Sequence, residues 1–109
     1  VAAYAKVATK NPQFAKVMLG KELENGVSYI KMAQKHKATY FTFNNWEKLE
    51  QKLGKEFMEA VNKAFIEEQI SLGKTILLSH NPSTATGSFL TEVNFLKEKG
   101  YSFIAYGDI

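Results

Sequence analysis

The chain has 109 residues, with 14 Lys, no Arg, 10 Glu, a single Asp, two His and no Cys, and a formal net charge of +3. That length makes one domain with a real core, and 45% apolar and 13% aromatic residues place it among globular chains. The inventory excludes disulfide frameworks, thiolate zinc sites, a Cys nucleophile and a guanidinium phosphate clamp, and the lone Asp108 argues against a multi-carboxylate two-metal site.

The chain opens on Val1 without a charged-then-apolar leader, and no apolar run approaches a membrane span, so it reads as a fragment of a longer protein. Positions 1–16 form a helical lead-in. Val17, Met18 and Leu19 then make a short apolar run stopped by Gly20, a helical pattern covers 28–37, and the β-branched and aromatic stretch 38–43 predicts a strand. From Asn45 an apolar stripe (Trp46, Leu49, Leu53, Phe57, Val61, Phe65, Ile70) predicts a helix with a break near Gly54 and an end at Gly73. A buried strand over 75–78, a helix over 88–99 with Phe89, Val93 and Leu96 inward, a stop at Gly100 and a last strand over 101–105 complete the order.

Strands separated by helices predict an α/β domain, residues 1–109, built on a small, largely parallel four-stranded sheet with crossover helices after one or two N-terminal helices. Ligands of open parallel sheets gather beyond the carboxyl ends of the strands, and three such ends carry polar residues: Gly20-Lys21, Asn44-Asn45 and Ser79-His80-Asn81.

The stretch 79–88 is the most chemical part of the chain. An apolar strand delivers His80 and a loop with Ser79, Ser83, Thr84, Thr86 and Ser88, and Gly87 lets the backbone approach a ligand where a helix begins. A helix start with unpaired N–H groups favours an anion such as phosphate, and an imidazole beside it can move a proton near neutral pH. Glu92, four residues after Ser88, can orient that imidazole or transfer a second proton. The hydroxyls suit helix capping equally well. His36, between Lys35 and Lys37, belongs to a helix end. Lys21 serves either as a phosphate contact or as a solvent-exposed partner of Glu22, and Asn45 as an N-cap first and a base or ribose contact second. For Trp46, Tyr40, Phe41 and Phe43 the spacing gives core packing first and base stacking second.

The run ILLSHNPSTATGSFLTEVNFLKEKGY (76–101), preceded by VMLG (17–20), SYIKMAQKHKATYF (28–41) and NKAFIEEQISLGK (62–74), resembles the C-terminal toxin domains of bacterial polymorphic toxins, above all the CdiA effectors of contact-dependent growth inhibition. The resemblance implies a nuclease carried by a secreted, cell-surface parent protein, active in the cytoplasm of a target bacterium and neutralised by a cognate immunity protein. It also implies a ribonuclease acting on tRNA, in some relatives with elongation factor Tu presenting the substrate. The barnase/EndoU/colicin/RelE architecture often assigned to such toxins is α+β with an antiparallel sheet, which makes it the alternative to the parallel reading.

The resemblance falls on His80 with Ser79, Thr84, Thr86 and Ser88; joined to the residue chemistry above, the candidates are His80, Thr84, Thr86, Ser88 and Glu92 for catalysis and Lys21, Asn45, Ser79, Asn81, Ser83 and Gly87 for substrate binding. RNA supplies its own 2′-hydroxyl nucleophile, so acid–base cleavage requires neither metal nor cofactor. Two other classes compete: a non-catalytic module whose basic first third, seven Lys against two Glu over residues 1–37, docks an acidic protein, and an anion- or nucleotide-binding domain using the same loop.

Overall fold

The computed structural model describes residues 1–20, 29–43 and 45–105. Lys21, Asn44 and Asp108 lie outside the described residues. The central element is a pair of short strands, β2 (Lys16–Leu19) and β4 (Thr75–Leu78), each apolar and buried after its first residue, which run parallel with Lys16 opposite Thr75 and Leu19 opposite Leu78. On the other side of β4 lies β5 (Ile104–Ala105), also parallel.

Alternation sorts the side chains of these strands to two faces. Val17, Leu19, Ile76 and Leu78 enter the main core, which holds Val61, Phe65 and Ile66 of α4 (Lys55–Ser71) and Phe89, Val93 and Leu96 of α5 (Gly87–Lys99). Met18 and Leu77 point the other way, into a smaller cluster with Ala33 of α2 (Tyr29–Lys35) and Ala38. Helices therefore cover both faces, which is why β2 and β4 read as unbroken apolar runs. Two further helices flank α4: α1 (Ala2–Ala8) and α3 (Trp46–Leu53). Gly54, at φ 91°, separates α3 from α4 at the expected break, and Gly100, left-handed at φ 73°, ends α5.

The structure is mixed α/β with a parallel sheet and no barrel, but the sheet is not the expected four-stranded one. Of the stretch 38–43, Thr39 alone pairs with β2, in a parallel bridge to Val17. The chain then swings away, and β3 (Tyr40–Phe41) pairs antiparallel with β1 (Thr9–Lys10). That swing places Phe41 against Phe65 and Trp46 in the core, with ring centroids 5.0 and 6.0 Å away. The lead-in is likewise not wholly helical, because α1 gives way to β1 at Thr9. The last strand contracts to two residues, while Tyr101 and Phe103 pack against the core before it begins.

From β2 the chain leaves toward Thr39 on one edge, and from β4 it leaves toward β5 on the other. The carboxyl ends of β2 and β4, at Gly20 and Ser79, therefore mark the point where connections diverge and a crevice opens. Among the described residues, no helix is long and apolar enough to cross a membrane.

Candidate functional site

A cleft of about 380 Å³ occupies that position. Gly20 contributes from the end of β2, Thr86, Ser88, Phe89 and Glu92 from the start of α5, and Asn62 from α4. Its remaining lining is largely aromatic: Tyr29 from α2, Phe41 and Phe43 with Thr42 from the β3 segment, and Trp46 from the start of α3.

Gly20 is required by close approach rather than by backbone angle. A Cβ at this position would lie 1.6 Å from Ser79 Oγ and 2.7 Å from Tyr29 Cβ. Ser79 is buried and shares a hydrogen bond of 2.7 Å with His80 Nδ1, and the imidazole meets the ring of Phe89 edge-on at 6.4 Å. His80, the expected proton-transfer residue, is therefore buried beside Ser79, and the cleft lining includes neither residue.

The polar loop divides in two. Asn81 Oδ1 accepts from Ser83 N (3.0 Å) and Ser83 Oγ (2.8 Å), and Thr84 Oγ1 donates to Asn81 O (2.8 Å), so these three residues build a 3₁₀ turn over Pro82–Thr84 and face solvent. Thr86 and Ser88 instead reach the cleft. Thr86 occupies the N-cap position of α5 without a side-chain cap bond, and Gly87, at φ 57°, turns the loop into the helix. Asn45 likewise precedes α3 without a side-chain cap bond and is exposed.

The carboxyl of the cleft belongs to Glu92, which is 8% exposed on the inward stripe of α5. Its Oε2 accepts a hydrogen bond of 2.9 Å from Asn62 Nδ2 on α4. Burial pushes the carboxyl from 4.5 up to about 7, against the opposing pull of that hydrogen bond. A carboxyl with this value exchanges a proton at neutral pH, as a general acid or base must. Its partner is Asn62 and not the imidazole of His80.

Asn62 was not singled out from the sequence. The available signal is a polar residue on a buried helical stripe, since Met58, Asn62, Phe65 and Gln69 recur at steps of four and three. Asn62 Oδ1 is buried without a hydrogen-bond partner. Among the described residues, no three His, Asp or Glu side chains converge as metal ligands. Compared with known protein families, with curated proteins and with solved structures, the chain finds no match.

Proposed function

We propose that this chain is the toxic nuclease domain of a polymorphic, CdiA-like toxin, cleaving tRNA without a metal, with Glu92 as the proton-transfer group. The observation that carries the reading is a buried carboxyl titrating near 7 in a cleft that also offers hydroxyls, a helix start and aromatic rings. In the reaction the Glu92 carboxylate takes the proton of a ribose 2′-hydroxyl and the 2′-oxygen attacks the adjacent phosphorus. The bond to the 5′-oxygen breaks, that oxygen takes a proton from water, and a cyclic 2′,3′-phosphate remains. Thr86, Ser88 and the first N–H groups of α5 face the charge that develops on the phosphate.

A net charge of +3 without Arg gives weak electrostatic purchase on RNA, which supports help from a second protein such as elongation factor Tu in holding the substrate. On this reading the partners are tRNA and an immunity protein, the parent is displayed on a cell surface, and the site of action is the cytoplasm of a target bacterium.

The test is a gel of total tRNA incubated with the chain, with and without EDTA and with and without elongation factor Tu. Discrete fragments that persist in EDTA are expected, with a rate rising through pH 7 as Glu92 ionises. Positioned acid–base groups contribute about 10²–10⁴-fold, so Glu92→Gln should lower the rate by that order. No fragments under any condition, or an unchanged rate for Glu92→Gln, sinks the proposal. The aromatic lining favours one second reading, a nucleotide-binding domain without catalysis, for which nucleotide binding would persist while tRNA stayed intact.

A further inference from the structure

We propose that the cleft seats a single unstacked nucleobase bearing an exocyclic amine, with the base lying against the aromatic wall around Trp46 and its amine donating to Asn62 Oδ1. This assigns a substrate element to the site proposed above and rests on that reading for its biological setting, although the binding it describes does not require cleavage.

Trp46 is held in a fixed position at the cleft. Its indole N–H is held by Glu50 Oε2 at 3.1 Å, one turn along α3, so the donor is already satisfied and the ring is fixed. Phe41 braces it edge-on at 6.0 Å and Phe43 lies tilted beside it at 6.1 Å. All three side chains line the cleft, and Trp46 and Phe43 are only half-buried. Half-exposed rings held in place by other rings form a platform for a flat, polarisable ligand, as in single-strand binding by stacked aromatic side chains.

Asn62 supplies the second, independent observation. Its Nδ2 is committed to Glu92, while Oδ1 remains an acceptor with no donor although the residue is only 6% exposed and lines the same cleft. A buried acceptor left unpaired is costly, and a ligand that brings an N–H to it recovers that cost. Adenine, cytosine and guanine each carry an exocyclic amine, whereas uracil presents carbonyl oxygens there. Uracil placed with that edge toward Oδ1 leaves two acceptors facing each other and can donate only by turning to its N3–H, so the carboxamide favours an amino-bearing base.

Because Trp46 is the sole tryptophan, its fluorescence reads occupancy directly. The intact chain is titrated with AMP, CMP, GMP, UMP and ribose 5-phosphate, none of which has an internucleotide bond to cleave. Saturable quenching by the three amino-bearing nucleotides is expected, with UMP about tenfold weaker and ribose 5-phosphate without effect. Asn62→Leu should bring UMP level with CMP while retaining quenching, and circular dichroism checks that the variant is folded. Should it fail to fold, the comparison of UMP with CMP on the parent chain still decides the matter. Equal quenching by UMP, quenching by ribose 5-phosphate, or a preference unchanged in folded Asn62→Leu overturns the inference. Base-selective binding without tRNA cleavage would retain this site and remove the ribonuclease, and cleavage without base selectivity would do the reverse.

Discussion

Burying the Glu92 carboxyl comes at a cost to the fold. Below pH 4.5 the carboxyl is protonated in folded and unfolded chains alike, and no penalty arises. Between 4.5 and about 7 the unfolded chain releases its proton while the folded one retains it, so stability falls as pH rises and the loss is complete above about 7. A shift of this size corresponds to roughly 3 kcal/mol. Glu92→Gln keeps an oxygen to accept from Asn62 and never ionises, so it should unfold at a higher temperature than the parent at pH 8 and at nearly the same temperature at pH 4. Thermal melts at the two pH values check this, and a parental pH dependence in the variant would contradict it.

Gly20 belongs to the same scale. With Ser79 Oγ and Tyr29 Cβ in the space a methyl group would need, Gly20→Ala should destabilise by about 1–3 kcal/mol and shift the urea midpoint downward. His80→Ala separates the two proton-transfer assignments. If the imidazole only supports Ser79, the variant should lose stability and retain cleavage at a temperature where it is folded, whereas loss of cleavage in a folded variant would return the role to His80.

At the scale of elements, what the sequence discloses depends on whether a contact is local. The strand over 75–78 and the breaks at Gly54 and Gly100 are legible because apolar runs and glycines act on their own neighbourhood. The fate of 38–43 is not legible, because its choice between β2 and β1 is made by distant partners: Val17 takes Thr39 and Thr9 takes Phe41 from a stretch whose propensity suits either. The site divides in the same manner. Thr86, Ser88 and Glu92 are visible as one motif leading into a helix, whereas the pairing of Glu92 with Asn62 joins residues 30 positions apart. Local chemistry is equally ambiguous in the loop, where Asn81 and Ser83, which read as substrate contacts, and Thr84, which reads as catalytic, fold into a turn with its own hydrogen bonds. Asn81→Ala removes the acceptor of that turn and should cost about 1 kcal/mol in a chemical denaturation, with tRNA cleavage unchanged because the turn stands outside the cleft.

Over the whole molecule the two ends of the sheet are treated differently. At the amino end, Lys74 Nζ donates to Pro12 O at 2.8 Å and to Thr39 Oγ1 at 3.0 Å, and Thr39 Oγ1 donates to Asn11 O at 2.7 Å. This network ties the loop before β2, the bridge at Thr39 and the entry to β4, so that end is closed by hydrogen bonds while the carboxyl end is left open as the cleft. Loss of solvation on burial draws the Lys74 ammonium below its usual range, with the charge of Glu68 opposing. Lysines also mark the closed end: Lys16 starts β2, and Lys35 and Lys37 precede Thr39.

The register of β2 on β4 has a consequence in time as well as in space. It joins Lys16 to Thr75, 59 positions apart, so the ladder closes a long loop and its entropy must be met before the contacts can compensate. The helical segment between them and the β4–α5–β5 unit rest on nearer contacts and can form earlier. Gly20 meets Ser79 only once the ladder has closed, so a chain caught before that event lacks the part of the cleft lining that Gly20 supplies. Refolding from urea should therefore restore nucleotide-dependent quenching of Trp46 in the slowest phase, with no share of it in the early recovery of helical signal.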